Sequence, residues 1–413
     1  MTTKFPSAGE VEIKKLDIIT PSKVKISLIG QLRSMTIYES IDKPFMQCDI
    51  VLLDAVNLLE SLPIVGEETI ELSFQTQGVN VPTTLRFNVF QLGGIENSSQ
   101  NKAQLYTLRC VSSERILNNV NVVQKGYTET IDTIVFDIIL NYLKTNKNIT
   151  TEPTKGVQSL VIPYLAPMEA IDFVRRRAVS TKYPTSNFLF FENKNGFYFR
   201  TFEGLVEENT QRIGNKVFTY SPTINTKQYT GQEYRNILNV SSSTRFDSND
   251  KLQSGSINNL AKAFDLVTLS VSDTSFKFTE RGNLFSGVDQ KGTLPTSLEF
   301  ASKYATKTPE IFMIPKDSSK PDTFIADTVG LNIAHRNFLK QNRTQIMIYG
   351  DSALKVGDVI ECHLPEVVGT TGKRNESKLV TGNYFIAALN HHITVEQKFI
   401  HRMNVELIKG NYK

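Results

Sequence analysis

A valine–glycine pair followed by acid, isoleucine and glutamate occurs twice in this chain, near opposite ends. The first copy is Val65-Gly66-Glu67-Glu68-Thr69-Ile70-Glu71, running on into Leu72-Ser73-Phe74. The second is Val356-Gly357-Asp358-Val359-Ile360-Glu361, running on into Cys362-His363-Leu364. So short a match can arise by chance; the order of elements around it constrains the fold. A short segment begun by aspartate precedes each copy, Asp54-Ala55 in one case and Asp351-Ser352-Ala353-Leu354 in the other. Two β-like runs follow each in the same order, Phe87–Phe90 then Leu105–Val111 against Tyr384–Ala387 then Phe399–Leu407. Such an ordered series predicts two related β-domains within one polypeptide.

At 413 residues the chain exceeds one ordinary core, which predicts two to four domains. A hydrophobic content of 40% with 21% charged residues belongs to a soluble globular protein. No apolar run approaches the roughly 18 residues of a membrane-spanning helix, so membrane insertion is not expected. The polar, mixed-charge start from Met1 to Lys15 does not resemble a secretory signal, and synthesis in the cytosol is expected. Cys48, Cys110 and Cys362 all sit in β-like runs, where inert buried thiols in a reducing compartment are expected. A formal charge of +4 is too dispersed for a dedicated nucleic-acid binder.

From Lys23 to Val111 apolar residues recur with period two: Ile70, Leu72 and Phe74 on one strand, Leu85, Phe87 and Val89 on the next. The pattern predicts a compact antiparallel barrel with one short helix, Ala55 to Leu62, stopped by Pro63. At Thr128, read as an N-cap, the period changes. Ile131, Ile134, Val135, Ile138, Ile139, Tyr142 and Leu143 then define an amphipathic helix. Pro167 opens a second helix to about Val179, and Asn193-Lys194-Asn195-Gly196 turns a hairpin between Phe188–Glu192 and Phe197–Arg200. Further strands are expected at Ile237–Val240 and Leu266–Val271, loops around Gly287, Gly292, Pro295 and 315–322, a helix from about Phe324 to Lys340, and a mobile hairpin tip at Val367–Lys378.

The fold class expected is therefore β-dominated α+β, with two related tube-like antiparallel β-barrel domains and two smaller inserted α+β domains. Residues 1–125 form the first barrel and 126–210 an inserted α+β domain. Residues 211–250 with 341–413 form the second barrel, and 251–340 an inserted domain with loops and a helix. The structural signature comprises Asp54, Pro63, Gly66, Glu67, Pro167, Gly196, Asp351, Gly357, Asp358 and Gly382.

Catalysis needs convergent side chains, and the sequence offers few. No HExxH, CxxC, GxSxG or P-loop pattern occurs. His391 and His392 are adjacent on a strand and so face opposite ways; a metal site would need His363, His401 and one of that pair to meet across strands. Satisfied or solvated histidines are the simpler reading, and no cofactor is expected. Glu67 and Glu71 share a strand face too far apart to work as an acid pair, which leaves a solvated edge. Arg175-Arg176-Arg177 fans through about 200° of a helix and cannot clamp one phosphate alone. A solvated face or subunit salt bridge is expected there, with contact to nucleic acid or an anionic partner as the alternative.

Three blocks of sequence resemble the baseplate central hub protein of contractile-tailed phages, the T-even type. They are Ile37-Tyr38-Glu39-Ser40-Ile41 through Asp54, Leu58-Leu59, Leu62-Pro63-Ile64 and Gly66-Glu67-Glu68; Pro163 to Ile171 with the Phe188–Glu192 and Gly196–Phe199 hairpin; and Gly350-Asp351 through Val356-Gly357-Asp358 to Gly382–Ile386 and the final strand. The resemblance implies a homotrimer whose two barrels per chain alternate around a ring, turning threefold into pseudo-sixfold symmetry. It further implies a sixfold tail tube or tube-initiator protein above, a trimeric spike below, and a lumen passing DNA and the tape-measure protein without specific binding. Its location would be the tail baseplate of a virion, assembled in host cytoplasm. The hub portion of type VI secretion spike proteins is similar, but this chain ends at Lys413, so a separate spike partner is expected. A conduit should not hold phosphates, which predicts a lumen neutral to acidic. Two other functions compete: a cell-wall hydrolase or carbohydrate-binding tail protein with its site in 126–210, and a single-stranded nucleic-acid binder using exposed Phe and Tyr.

Overall fold

The alternation of the first hundred residues is that of strands with one face in a core, and strands form there. The computed structural model describes residues 8–61, 64–97, 103–214, 216–221, 233–242, 248–265, 267–281, 288, 310–316, 326–340, 343–365, 376–377 and 380–409. Strands β1 (Val11–Ile19), β2 (Lys25–Ser27), β3 (Leu32–Ser40), β4 (Gln47–Asp54), β5 (Thr69–Thr76), β6 (Thr83–Asn97) and β7 (Gln104–Val111) wrap one core. Leu16, Ile37, Ile50, Leu72 and Phe87 meet in it. The expected helix over 55–62 shortens to α1 (Leu58–Ser61), and Pro63 lies outside the described residues. Asp54 sets its start by accepting the amides of Val56 at 3.0 Å, Leu58 at 2.5 Å and Leu59 at 3.2 Å, which would otherwise lack partners.

After β7 the chain runs through α2 (Ser113–Val120), β8 (Val123–Glu129), α3 (Ile131–Asn141), β9 (Ile149–Thr151), β10 (Gln158–Leu165), α4 (Pro167–Arg175), β11 (Phe188–Asn193), β12 (Gly196–Thr201) and α5 (Phe202–Thr210). Thr128 is not the cap of α3: it pairs with Ser159 inside β8, and Thr130 holds the N-cap position. Helix α4 ends at Arg175, short of Val179, because the chain turns to pair Ser180 with Thr154. The hairpin forms in the expected register, Asn193 opposite Gly196. Gly196 has φ +127°, and a Cβ there would lie 2.2 Å from the carbonyl oxygen of Asn148. That close approach admits only glycine.

The second barrel uses β13 (Val217–Tyr220), β14 (Asn236–Ser242), β18 (Arg343–Tyr349), β19 (Val359–His363), β20 (Gly382–Val395) and β21 (Phe399–Ile408). Between β14 and β18 lie α6 (Ser248–Gln253), β15 (Asn258–Asp265), β16 (Ser270–Lys277), α7 (Phe278–Arg281), β17 (Glu310–Lys316) and α8 (Ala326–Lys340). Of the expected strand Leu266–Val271, Ser270 and Val271 open β16, Val267–Leu269 form the tip of the β15–β16 hairpin, and Leu266 lies outside the described residues. Asp265 Oδ1 accepts the amides of Val267 at 2.8 Å and Thr268 at 3.3 Å, and this reverses the chain. Of the expected loop 315–322, Pro315 and Lys316 instead end β17, whose ladder with β15 reaches Lys316, and 317–322 fall outside the described residues, as do Gly287, Gly292, Pro295 and 367–375. Among the described residues no helix is long and apolar enough to cross a membrane.

Pairing shows the two barrels to be the same fold twice. In the first, neighbours run β1-β5-β6-β7-β4-β3; in the second, β13-β19-β20-β21-β18-β14. Matching strands share their irregularities. Strand β6 bulges between Val89 and Gln91 against β7, and β20 between Ile386 and Ala388 against β21. Strand β3 bulges between Leu32 and Ser34, and β14 between Ile237 and Asn239. The amide of Val89 donates to Glu68 O at 2.9 Å, as that of Ile386 donates to Asp358 O at 2.9 Å. Glu68, not Glu67, is thus the counterpart of Asp358, and Glu67 is one extra, exposed residue in the first turn. Three differences remain. Strand β6 carries a second bulge against β7, between Gly93 and Glu96, that β20 does not have against β21. Strand β13 joins β14 and β19 in parallel, since it enters from the insertion at the opposite end from β1. The second barrel closes through β13–β14, whereas β1 and β3 form no ladder.

Candidate functional site

The two barrels are joined strand to strand. Strand β3 pairs antiparallel with β20, from Ser40 opposite Ala388 to Ser34 opposite Thr394, so thirteen described strands make one sheet. Core-facing residues of β3 and β20 go to the two interiors, which leaves the alternate residues on a face shared by both barrels. One row across it reads Asn239, Met347, Asn404, Asn390, Tyr38, Gln47; the next reads Arg402, His392, Thr36, Asp49, Arg109, Gln91. The first row lines a trough of about 520 Å³. Its amides and hydroxyls partner one another: the Asn404 amide donates to Asn390 Oδ1 at 3.0 Å, and Thr36 Oγ1 lies 2.8 Å from His392 Nδ1. Charges are matched too. Asp49 stands opposite Arg109, and Arg343 bridges Asp42 at 2.8 Å and Glu406 at 3.0 Å. A face so balanced offers no strong site to a phosphate chain.

Beneath the seam, several of the signature residues converge. Gly357 turns with φ +92°, and Asp358 is buried, accepting the Lys355 amide at 3.3 Å and Lys216 Nζ at 2.8 Å. Three parts of the molecule seize this turn. Glu39 of β3 accepts the Val356 amide at 3.1 Å; Asn193 Nδ2 donates to Val356 O at 3.0 Å; Asn209 Nδ2 donates to Gly357 O at 3.0 Å. Asp351 caps the Ala353 amide at 2.8 Å, as Asp54 caps Val56, and the next residue, Ser352, meets Thr76 Oγ1 at 2.8 Å. Lys194, beside Gly196, donates to Ser352 O. Burial pushes the Glu39 carboxyl up to about 7, against the nearby Lys194, while burial lowers the Lys194 ammonium.

The remaining signature residues serve their own elements. Gly66 turns with φ +93°, its amide bound to Glu68 at 2.9 Å; Pro167 opens α4; Gly382 starts β20 opposite Cys362 with φ +136°. Sequence reasoning missed Glu39, Thr76, Lys194 and Ser352. Only Glu39 left a signal, as a charge in phase with buried Met35 and Ile37.

Other candidate chemistry disperses. His391 Nδ1 and His401 Nε2 meet at 3.1 Å, both buried against Phe74, and burial brings His401 down to about 3. His363 stands apart with Glu376 at 3.1 Å. Among the described residues no three or more His, Cys, Asp or Glu side chains are grouped to hold a metal. Cys48 and Cys110 face each other across β4 and β7 as free, buried thiols, and burial raises both; Cys362 is free and buried in the second barrel. Arg175 pairs with Asp172 at 2.6 Å, and Arg177 stacks 4.2 Å from the Phe173 ring centroid, so the arginine triplet forms no single clamp. Glu71 holds Lys15 and, at 3.6 Å, Lys25; Glu67 is exposed, and the two glutamates do not act together.

No family model matches the sequence, and no curated protein matches it by sequence. Solved structures do match, over nearly the whole chain. A tail protein from Neisseria meningitidis MC58 is 7% identical with a TM-score of 0.55, covering 95% of this chain and 96% of its own. The chain shares its fold with that tail protein. The 43 kDa tail protein of prophage MuSo2 from Shewanella oneidensis agrees, at 9% identity and a TM-score of 0.54, with 96% and 98% covered. At such identity the tail-protein likeness concerns fold alone.

Proposed function

We propose that this chain is a structural hub of a phage-type tail baseplate, a homotrimer linking a sixfold tube to a threefold spike. The observation that carries the reading is the duplication itself. One chain presents the same strand order twice, joined side by side, so three chains offer six near-equivalent barrels to a sixfold partner. The fold shared with tail proteins supports the setting, and the charge-matched shared face supports a channel wall that DNA and a tape-measure protein pass without being held. In this reading 1–125 and 211–250 with 341–413 are the tube barrels, while 126–210 and 251–340 are insertions reaching outward. Its partners in this reading are a spike and a tube or tube-initiator protein, and the role is structural, not catalytic.

Light scattering on the purified chain tests the reading. A mass of three chains, stable at micromolar concentration, is expected, since obligate contacts of this kind bury on the order of 2,000 Å² or more. A stable monomer overturns it.

A further inference from the structure

The internal repeat predicts more than a ring; it specifies which strands close it. By the shared bulges and pairings, β3 of the first barrel corresponds to β14 of the second, and β6 corresponds to β20. The seam inside the chain is β3 against β20. Its counterpart is therefore β14 against β6, and within one chain these two strands never meet. They lie at opposite ends of the run β14-β18-β21-β20-β3-β4-β7-β6. Seven strand spacings of about 4.8 Å put them roughly 34 Å apart.

Both strands have the open edge that this pairing needs. In β20 the first residues pair with β19 and the later ones, Ala388–Thr394, pair with β3 on the same edge. Strand β6 begins likewise: Thr83–Asn88 pair with β5. Among the described residues no strand covers that edge from Phe90 to Asn97, where Phe90 and Ile95 are 45% and 55% exposed. Strand β13 pairs with β14 at Asn236 and Ile237, and among the described residues no strand covers Leu238–Ser242 on that side. Long open edges with exposed apolar side chains are an association hazard unless a partner covers them.

We propose that β14 of one copy pairs antiparallel with β6 of a second copy, in the register of the internal seam. Carried through the pairings, Thr36 corresponds to Ser241 and His392 to Glu96, because Glu96 faces Leu105 where His392 faces Arg402. Glu96 of one copy thus stands opposite Ser241 of the next, both on the shared face. The occupant is a second copy of this chain because the seam already present in each chain is the mould for the contact. The inference rests on the ring reading above and adds to it the strands and the register.

Disulfide trapping tests it on the full chain. Directly opposed residues lie about 4.5–5.5 Å apart at Cα, within disulfide reach. Under mild oxidation Glu96→Cys with Ser241→Cys should link most chains into a covalent trimer on a non-reducing gel. Each single variant should remain one chain, the native cysteines being buried. Glu96→Cys with Asn239→Cys, two residues out of register and roughly 8 Å apart, should link at least tenfold less. Light scattering on the unlinked double variant separates the possible failures. A trimer that does not link, or that links equally in both pairs, overturns the strand assignment and leaves the hub reading standing. A monomer overturns both.

Discussion

Lys147 should be the side chain whose loss most weakens the union of the first barrel with its insertion. Its Nζ lies 2.7 Å from Glu114 Oε2 and 2.5 Å from Glu192 Oε1, carboxylates whose side chains are only 3% and 2% exposed. Glu192 also accepts the Met46 amide at 2.9 Å and the Ser112 hydroxyl at 2.7 Å, so it ties the insertion to the β3–β4 and β7–α2 connections. Lys147→Met would leave two buried carboxylates sharing no cation. Breaking a buried pair from one side costs about 3–5 kcal/mol, and the one-third exposure of the lysine places this case near 3. For a unit of this size that is a fall in Tm of about 6–12 °C. Far-UV circular dichroism suits the assay, since the chain has no tryptophan.

The pH dependence gives a second, sharper check. The carboxylates raise the Lys147 ammonium against the opposing effect of its burial. A raised basic group contributes stability that is complete below its unfolded value near 10.5 and lost only as pH rises through the folded one. The wild type therefore keeps this contribution throughout pH 5–8. In the variant, burial, which already raises Glu192, acts without the lysine to oppose it, so protonation relieves the strain. The gap between variant and wild type should narrow as pH falls from 8 to 5, and Glu192→Gln added to the variant should recover at least half of it. A loss under about 1 kcal/mol, or a gap equal at both pH values, would refute the reasoning.

Three further outcomes are expected in the same melts. Gly66→Ala and Gly357→Ala should each cost at least about 1 kcal/mol for a left-handed backbone, since neither new Cβ meets a clash: nothing lies within 4 Å at Gly66, and the Phe191 ring stands in ordinary contact at 3.4 Å at Gly357. Gly350→Ala should cost about 1–3 kcal/mol or more, since the new Cβ would sit 1.9 Å from His401 Nδ1. Glu39 binds its proton up to about pH 7 when folded but only to about 4.5 when unfolded. Its contribution therefore lowers stability as pH rises from 5 to 7, and Glu39→Gln should flatten that slope.

The duplication was legible because turns and caps are local. Asp54 and Asp351 each bind the amide two residues on, and Gly66 and Gly357 each adopt positive φ, whatever surrounds them. The offset of one residue at Glu67 was not legible, since only the pairing of Val89 with Glu68 reveals it. The error over Val267–Leu269 has a local cause: a run of β-formers hid the aspartate that folds these residues into a turn. The seam was beyond reach, because β3 and β20 lie far apart in sequence and nothing local to Tyr38 or Asn390 names its partner. Glu39 was within reach, as a carboxylate on the core side of a strand.

Electron micrographs of the purified chain test the central claim most directly. Eight strands per chain cross the shared face, so three chains at about 4.8 Å per strand give a circumference of about 115 Å, or a backbone diameter of about 37 Å before strand tilt widens it. Class averages should show six lobes of two alternating kinds around an opening of that order. Three-lobed clusters without an opening, or isolated two-lobed particles, would contradict the account.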